Sequence, residues 1–368
     1  MMTGGRTAVD RGDGVLVALS GGVDSSVAAL LLKERGYRVR AAAMHLWDRP
    51  CVKDRAGACC SPRDFLDARR VAEKLAVPFE VLDLAAPFRE RVVRPFVEAY
   101  LAGRTPNPCV LCNHRIKFDL FLEAARERGC AFVATGHHAR IRREGGAPRL
   151  LRGRDPDKDQ SYFLAGLDRE QLACALFPVG ELTKEAVRRR AAAAGLVTAE
   201  KAESQEICFV TDDDYAGFVE RAAGGAVPPP GEIVDREGRV LGRHKGIHRY
   251  TVGQRRGLGV SRPRPLYVLA LDPGRNRVVV GEAGETYRTG VEAEGVNYPS
   301  GRALEPGEKV TARVRYRHAG APAVVEAAEG DTLRLRFETP VRSVTPGQFL
   351  VCYRGEEAAA GGWITAGR

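Results

Sequence analysis

The apolar positions of this chain change their period twice, and each change marks a change of architecture. Val15, Leu16, Val17 and Leu19 form an unbroken run of the kind buried on both faces of a parallel sheet. Val27, Leu30 and Leu31 then set a helical stripe, which Gly36 ends. Further apolar runs at 39–44, 79–84 and 131–135 alternate with helical stretches, which predicts an α/β unit with helices on both faces of its sheet. One helix is expected to start with Ser61 as cap, Pro62 in the first position and Asp64 near the positive end of the dipole, burying Phe65, Ala68, Ala72 and Leu75.

From about residue 205 the pattern breaks up. Gly224-Gly225 and Pro228-Pro229-Pro230 punctuate the chain, and short strands mix with basic turns such as Gly253-Gln254-Arg255-Arg256-Gly257. Beyond Val278, segments at 310–318, 323–327, 333–338 and 348–353 alternate with period two, as in a small antiparallel barrel or sandwich. The expected organisation is a Rossmann-like parallel-sheet domain over 1–204, a small mixed central domain over 205–272 and a C-terminal antiparallel β-barrel over 273–368.

At 368 residues the chain is too long for one core, and its 44% hydrophobic content suits a folded protein. Residues 1–14 contain no apolar signal-peptide core and no run is long enough to span a bilayer, so a cytoplasmic, membrane-independent and monomeric protein is expected. Nine irregularly spaced cysteines argue against a secreted disulfide framework and leave thiols for chemistry. A formal charge of +10 and a pI near 9.3 favour a polyanionic partner, although a solvated basic surface gives the same composition.

Ser20-Gly21-Gly22-Val23-Asp24-Ser25 lies between the first strand and helix. Its glycines let backbone N–H groups approach an anion, Ser25 and Ser26 add hydroxyls, and the helix N-terminus adds partial positive charge. It is neither a Walker loop nor a dinucleotide turn. By the crevice rule for open α/β sheets, a nucleotide should lie where Ser20, Met44 and Thr135-Gly136-His137 emerge from the strands.

Thr105-Pro106-Asn107-Pro108-Cys109-Val110-Leu111-Cys112-Asn113 sets two thiols at C-x-x-C spacing just before an expected helix over 116–128, a position that lowers a thiol pKa. No second such pair exists for a zinc ribbon, because Cys59 and Cys60 are adjacent and the other cysteines are isolated. Cys130, Cys174 and Cys352 sit among apolar residues and read as core. Cys208 stands alone beside Ile207 and Phe209 at the domain boundary, where a mobile loop is expected, and by itself reads as packing more readily than as chemistry. Arg313, Arg315 and Arg317 alternate with Val314 and Tyr316, which suggests a basic row along one strand face.

Ser-Gly-Gly-x-Asp-Ser resembles the PP-loop of ATP pyrophosphatases. Together with 105–108, Cys112-Asn113, Ala134-Thr135-Gly136-His137, 158–163, 176–180, 207–209, 253–255 and 345–348, the chain is similar, in the same order and over nearly its whole length, to the tRNA 2-thiouridylases of that superfamily.

The resemblance implies that Ala18, Leu19, Ser20, Gly21, Gly22, Val23, Asp24 and Ser25, with Met44 and Gly136, bind ATP, accompanied by magnesium, and that Asp24 is also catalytic. It implies adenylation of C2 oxygen of the wobble uridine in tRNAs for Glu, Gln and Lys, followed by attack of sulfur. Cys208 matches the persulfide carrier, charged by a cysteine desulfurase or sulfur-relay protein, and Cys112 the nucleophile. Asn107, Pro108 and Cys109 match the segment touching the flipped base; His137, Lys158, Asp159, Gln160, Arg315, Tyr316 and Gln348 match tRNA contacts. A second scheme gives Cys109, Cys112 and Cys208 to three irons of a [4Fe-4S] cluster. Other PP-loop tRNA thiolases, and a basic RNA-binding module without catalysis, remain as rivals.

Overall fold

The computed structural model describes residues 12–47, 62–144, 147–202, 207–210 and 214–368. Cys51, Cys59, Cys60, the expected cap Ser61 and residues 203–206 lie outside these. The first sheet is all parallel, in the order β3-β2-β1-β4-β7, from β1 (Gly14–Ala18), β2 (Arg38–His45), β3 (Phe79–Asp83), β4 (Phe132–Ala134) and β7 (Ala175–Leu176). Strand order reverses between β1 and β4. That is the topological switch point, where an open α/β sheet leaves a crevice at the carboxyl ends of its strands. Helix α1 (Val23–Glu34) leaves β1 across the glycine loop, and Val23, Val27 and Leu31 pack with Val15 and Val17 in one buried core. Helix α2 (Pro62–Lys74) buries Ala68, Val71 and Ala72 against the same layer.

A second helical path differs from expectation. It starts at Pro108 rather than residue 116 and runs through a π-helical stretch, Asn113–Leu120, into Phe121–Glu127. Pro108 occupies the first helical position, where its missing N–H and fixed φ suit a helix start. Cys109 therefore lies in the first turn and Cys112 just past it.

The central sheet, in the order β10-β11-β8-β9, comes from β8 (Gly231–Val234), β9 (Val240–His244), β10 (Tyr267–Asp272) and β11 (Arg277–Gly281) around its own small core. The β10–β11 hairpin carries this sheet on to Gly281. C-terminal to it, β12 (Tyr287–Asn297), β13 (Lys309–Arg313), β14 (Ala321–Glu329), β15 (Thr332–Arg342), β16 (Phe349–Arg354) and β17 (Glu357–Gly367) form an antiparallel barrel closed by pairing of β12 with β17.

Two features of the barrel depart from the sequence reading. The hairpin of β5 (Ala139–Glu144) and β6 (Ala147–Arg152), from the N-terminal part of the chain, extends the barrel sheet at β17. The expected basic strand face does not form, because β13 ends at Arg313 and the chain turns, His318 N–H donating to the Arg315 carbonyl at 3.0 Å. Arg313 folds inward onto Asp159 at 3.3 Å with only 12% of its side chain exposed.

The barrel is fused to the α/β unit by one core in which Phe118, Val133 and Tyr162 pack with Phe349, Val351 and Tyr353. Tyr162 Oη donates to the Phe349 carbonyl at 2.6 Å, and Ser161 and Tyr353 hydroxyls meet at 3.0 Å. Helix 108–127 packs into this core through Val110, Phe118 and Phe121 and reaches the crevice at the carboxyl ends of the strands with Lys117. Among the described residues no helix is long and apolar enough to cross a membrane.

Candidate active site

The crevice at the β1/β4 switch point is a cavity of about 280 Å³ lined by Ala18, Ser20, Gly22, Val23, Asp24, Ser25, Met44, Thr135, Gly136 and His137, with Asp64, Lys117, Gln160, Lys184 and Lys201 completing the wall. Two glycines are dictated by close approach. Gly21 has φ +73°, and a Cβ there would sit 2.3 Å from the Asp64 carbonyl oxygen. At Gly136 a Cβ would come within 2.5 Å of the Ser25 amide nitrogen. The loop is braced from inside: the Ser20 amide donates to Ser25 Oγ at 3.2 Å, and Ser25 and Ser26 hydroxyls both donate to the Gly22 carbonyl, at 3.0 and 2.8 Å. Ser26, expected beside the anion, is fully buried and accepts from Thr198 at 3.0 Å, so it shapes the loop instead. Leu19 belongs to the sheet core, and neither it nor Gly21 lines the cavity.

Asp24 is the electrostatic centre. Its carboxylate takes Lys184 Nζ at 2.6 Å on one oxygen and His138 Nε2 at 3.1 Å on the other. Burial pushes its carboxyl up, but the His138 hydrogen bond and the Lys184 ion pair outweigh burial and hold it below the ordinary carboxylate range. Lys201 is pinned between Asp64 and Asp67 at 2.6 and 2.7 Å. His137 accepts or donates at Nδ1 with Thr135 Oγ1 at 2.7 Å; burial, with Lys117 nearby, holds its imidazole well below 6.5 and therefore neutral at physiological pH.

Lys184, His138, Lys117, Lys201 and Asp64 were not read as site residues from the sequence. Lys184 did leave a signal: it stands directly after the Thr183 cap at the start of helix Lys184–Ala193, where a cation opposes the helix dipole, and it is 9% exposed.

A second cavity, of about 780 Å³, opens beside the first and shares Asp24, Lys117, His137, Gln160 and Lys184 with it. Its remaining wall includes Cys109, Asn113, Lys158, Asp159, Phe163, Arg313, Tyr316 and Arg317. Gln160 Oε1 accepts the His138 amide at 2.9 Å. Asp159, expected at the tRNA surface, is 4% exposed; it accepts the Gly153 and Ser161 amides and pairs with Arg313, so its lone pairs are taken within the protein. Asn107 and Pro108 are both buried at the helix start.

The three cysteines divide. Cys109 faces the larger cavity, whereas Cys112 and Cys208 pack into one apolar cluster with Phe88, Phe96 and Ile116. Phe209 anchors the Cys208 segment there, its ring 5.1 Å from Phe96 and 5.7 Å from Phe88. Among the described residues no three His, Cys, Asp or Glu side chains converge as a metal site. Asp24 and Asp64 are the carboxylates on the wall of the smaller cavity that would hold a magnesium ion bound through a nucleotide, which needs only one or two. Cys130 and Cys352 are core, as read; burial pushes the Cys352 thiol up to about 12.

A third cavity, about 610 Å³, lies where the three structural units meet and is lined by Thr105, Arg255, Arg315, Arg342 and Gln348 among others. Gln348 Nε2 donates to the Thr105 carbonyl at 3.0 Å, and Arg315 donates to the Arg342 carbonyl at 3.2 Å.

The switch-point crevice and its glycine loop define a nucleotide-binding α/β domain of the HUP class, carrying two β-rich accessory domains. Family models agree: a tRNA methyl transferase HUP domain matches residues 13–212, a tRNA methyl transferase PRC-barrel domain 217–282 and an aminomethyltransferase beta-barrel domain 288–364. The chain is 51% identical over 96% of its length to the tRNA-specific 2-thiouridylase MnmA of Geobacter metallireducens, covering 96% of that protein. It is 48% identical over 95% of its length to that of Solibacter usitatus, covering 98% of it. The chain belongs to the tRNA-specific 2-thiouridylase MnmA family.

Proposed function

We propose that the protein is an ATP-dependent tRNA-uridine 2-sulfurtransferase acting on the wobble uridine of tRNAs for Glu, Gln and Lys. The observation that carries this reading is the contiguity of the two cavities. One holds the features of a nucleotide site, the other is large enough for an everted base, and Asp24, Lys117, His137, Gln160 and Lys184 belong to both walls. A base must leave the anticodon stack to reach such a site.

In the first step uracil O2 attacks the α-phosphorus and pyrophosphate leaves, turning a carbonyl oxygen into an AMP leaving group. The backbone at Gly22 and the α1 N-terminus bind phosphate, Lys184 and Lys117 offset the charge that builds on the transferring phosphoryl group, and magnesium, held through Asp24 or Asp64, would add to that. Neutral His137 closes the wall without competing for the phosphate.

In the second step Cys208 has taken sulfane sulfur from a donor persulfide, releasing the donor thiol. The terminal sulfur of Cys208–S–SH attacks C2 and AMP departs. Cys112 thiolate then attacks Cys208 Sγ, leaving the sulfur on C2 and the two cysteines as a disulfide, which an external dithiol reduces. Their shared apolar cluster supports this pairing. The donor is a cysteine desulfurase or a sulfur-relay protein.

The test is single-turnover incubation with wobble-uridine tRNA, ATP and magnesium. AMP and pyrophosphate, not ADP, should form, and Cys112→Ala or Cys208→Ala should retain AMP formation on the tRNA while forming no 2-thiouridine.

A further inference from the structure

Helix 108–127 presents Cys109, Asn113 and Lys117 to the larger cavity, four residues apart and so along one stripe. Asn113 is 2% exposed. Its Nδ2 donates to the Phe163 carbonyl at 3.3 Å, which fixes which way round the amide sits. The acceptor end is left over: among the described residues Asn113 Oδ1 has no hydrogen-bond partner. His138 adds a second orphan on the same wall. Its Nε2 meets the Asp24 carboxylate at 3.1 Å, and among the described residues its Nδ1 too lacks a partner. Buried polar groups are ordinarily satisfied, and an orphaned acceptor on a residue in the wall of a ligand cavity is explained most simply by a donor on the ligand.

Uracil has one ring N–H, at N3, flanked by O2 and O4. Cytosine has a lone pair at N3 instead. We propose that Asn113 Oδ1 accepts the N3–H of the target uracil in the complex that precedes adenylation, and that this contact makes the site select uridine over cytidine. The inference rests on the reading of the protein as a tRNA-uridine sulfurtransferase. The stripe also accounts for orientation. Of the two carbonyls that flank N3, the proposed pose sets O2 on the side of Lys117, because Lys117 also lines the nucleotide cavity. A cytidine in the same pose sets lone pair against lone pair, the kind of mismatch a hydrogen-bonding site rejects strongly.

The test uses anticodon stem–loops carrying uridine, cytidine or 3-methyluridine at the wobble position, in binding competition on the full-length protein with α,β-methylene-ATP, which cannot adenylate the base because its α and β phosphorus atoms are joined through carbon. The wild-type protein should prefer uridine over both others by about tenfold or more. In Asn113→Ala and in the similarly sized Asn113→Leu the uridine-to-cytidine preference should fall towards one, with the KM for ATP near wild type and circular dichroism showing both variants folded, even though the lost bond to the Phe163 carbonyl lowers their melting temperature. A preference unchanged in both variants, or 3-methyluridine bound as tightly as uridine by wild type, overturns the proposal. A parallel thiolation assay separates the two claims: wild type that leaves the uridine stem–loop unthiolated sinks the functional reading itself, whereas thiolation with an unaltered preference in the variants sinks only the role of Asn113.

Discussion

Asp24 and Lys184 are 160 residues apart in the chain and 2.6 Å apart in the fold. The contact closes α1 against helix Lys184–Ala193 across the nucleotide crevice, and it places a cation beside the loop without leaving it unpaired. Asp24→Asn and Lys184→Met should each lower the rate of AMP formation by about 10²–10³-fold, the range seen when a preorganised charge is removed from a transition state. Rates of AMP release in single-turnover quench experiments check this, with circular dichroism confirming the fold.

The sign of the Asp24 shift makes a stability prediction. Its carboxyl is held below its ordinary 3.8, so the pairing stabilises the fold fully above that pH and the contribution is lost as pH falls through the lower, folded value. The stability difference between wild type and Asp24→Asn, measured by urea unfolding, should be constant from pH 6 to 8 and shrink below about pH 4.

What the sequence conveyed follows from how local each feature is. The Ser20–Ser25 loop was legible because strand, turn and helix are consecutive and each has its own period. The start of the cysteine-bearing helix was misplaced because two prolines read as loop stiffeners, although Pro108 is well suited to a first helical position. Arg313, Arg315 and Arg317 alternate as a strand face would, yet Asp159 draws Arg313 inward and the chain turns. That override comes from a residue 154 positions away and leaves no local trace. The joining of β5–β6 to β17, and the gathering of His138 and Lys184 around Asp24, are equally non-local.

Thiol reactivity should follow the division of the cysteines. Cys109 lies on a cavity wall, partly exposed, whereas Cys352 is fully buried with its pKa pushed up to about 12. Brief iodoacetamide treatment at pH 8 followed by peptide mass spectrometry should find Cys109 modified and Cys130 and Cys352 unmodified, and bound tRNA should protect Cys109. Anaerobically purified protein should contain no stoichiometric iron or sulfide, and Cys109→Ser should keep its persulfide chemistry. A cluster lost in Cys109→Ser together with activity would reverse this.

The +10 charge and the arginines at the three-unit junction predict tRNA affinity that falls steeply with salt. Each phosphate neutralised contributes a slope of about 0.9 in log K against log salt for duplex and about 0.7 for single strands. Arg315→Ala should reduce that slope by about one unit and leave the KM for ATP unchanged, as filter binding across a salt series will show.

The most direct measurement of the central claim is nucleoside mass spectrometry of unmodified tRNA for Glu, Gln or Lys after incubation with the protein, ATP, magnesium and a persulfide donor. The account predicts 2-thiouridine at the wobble position, with AMP formed in equal amount and no product when ATP is omitted. Unmodified uridine at that position in the complete mixture, or ADP in place of AMP, would contradict it.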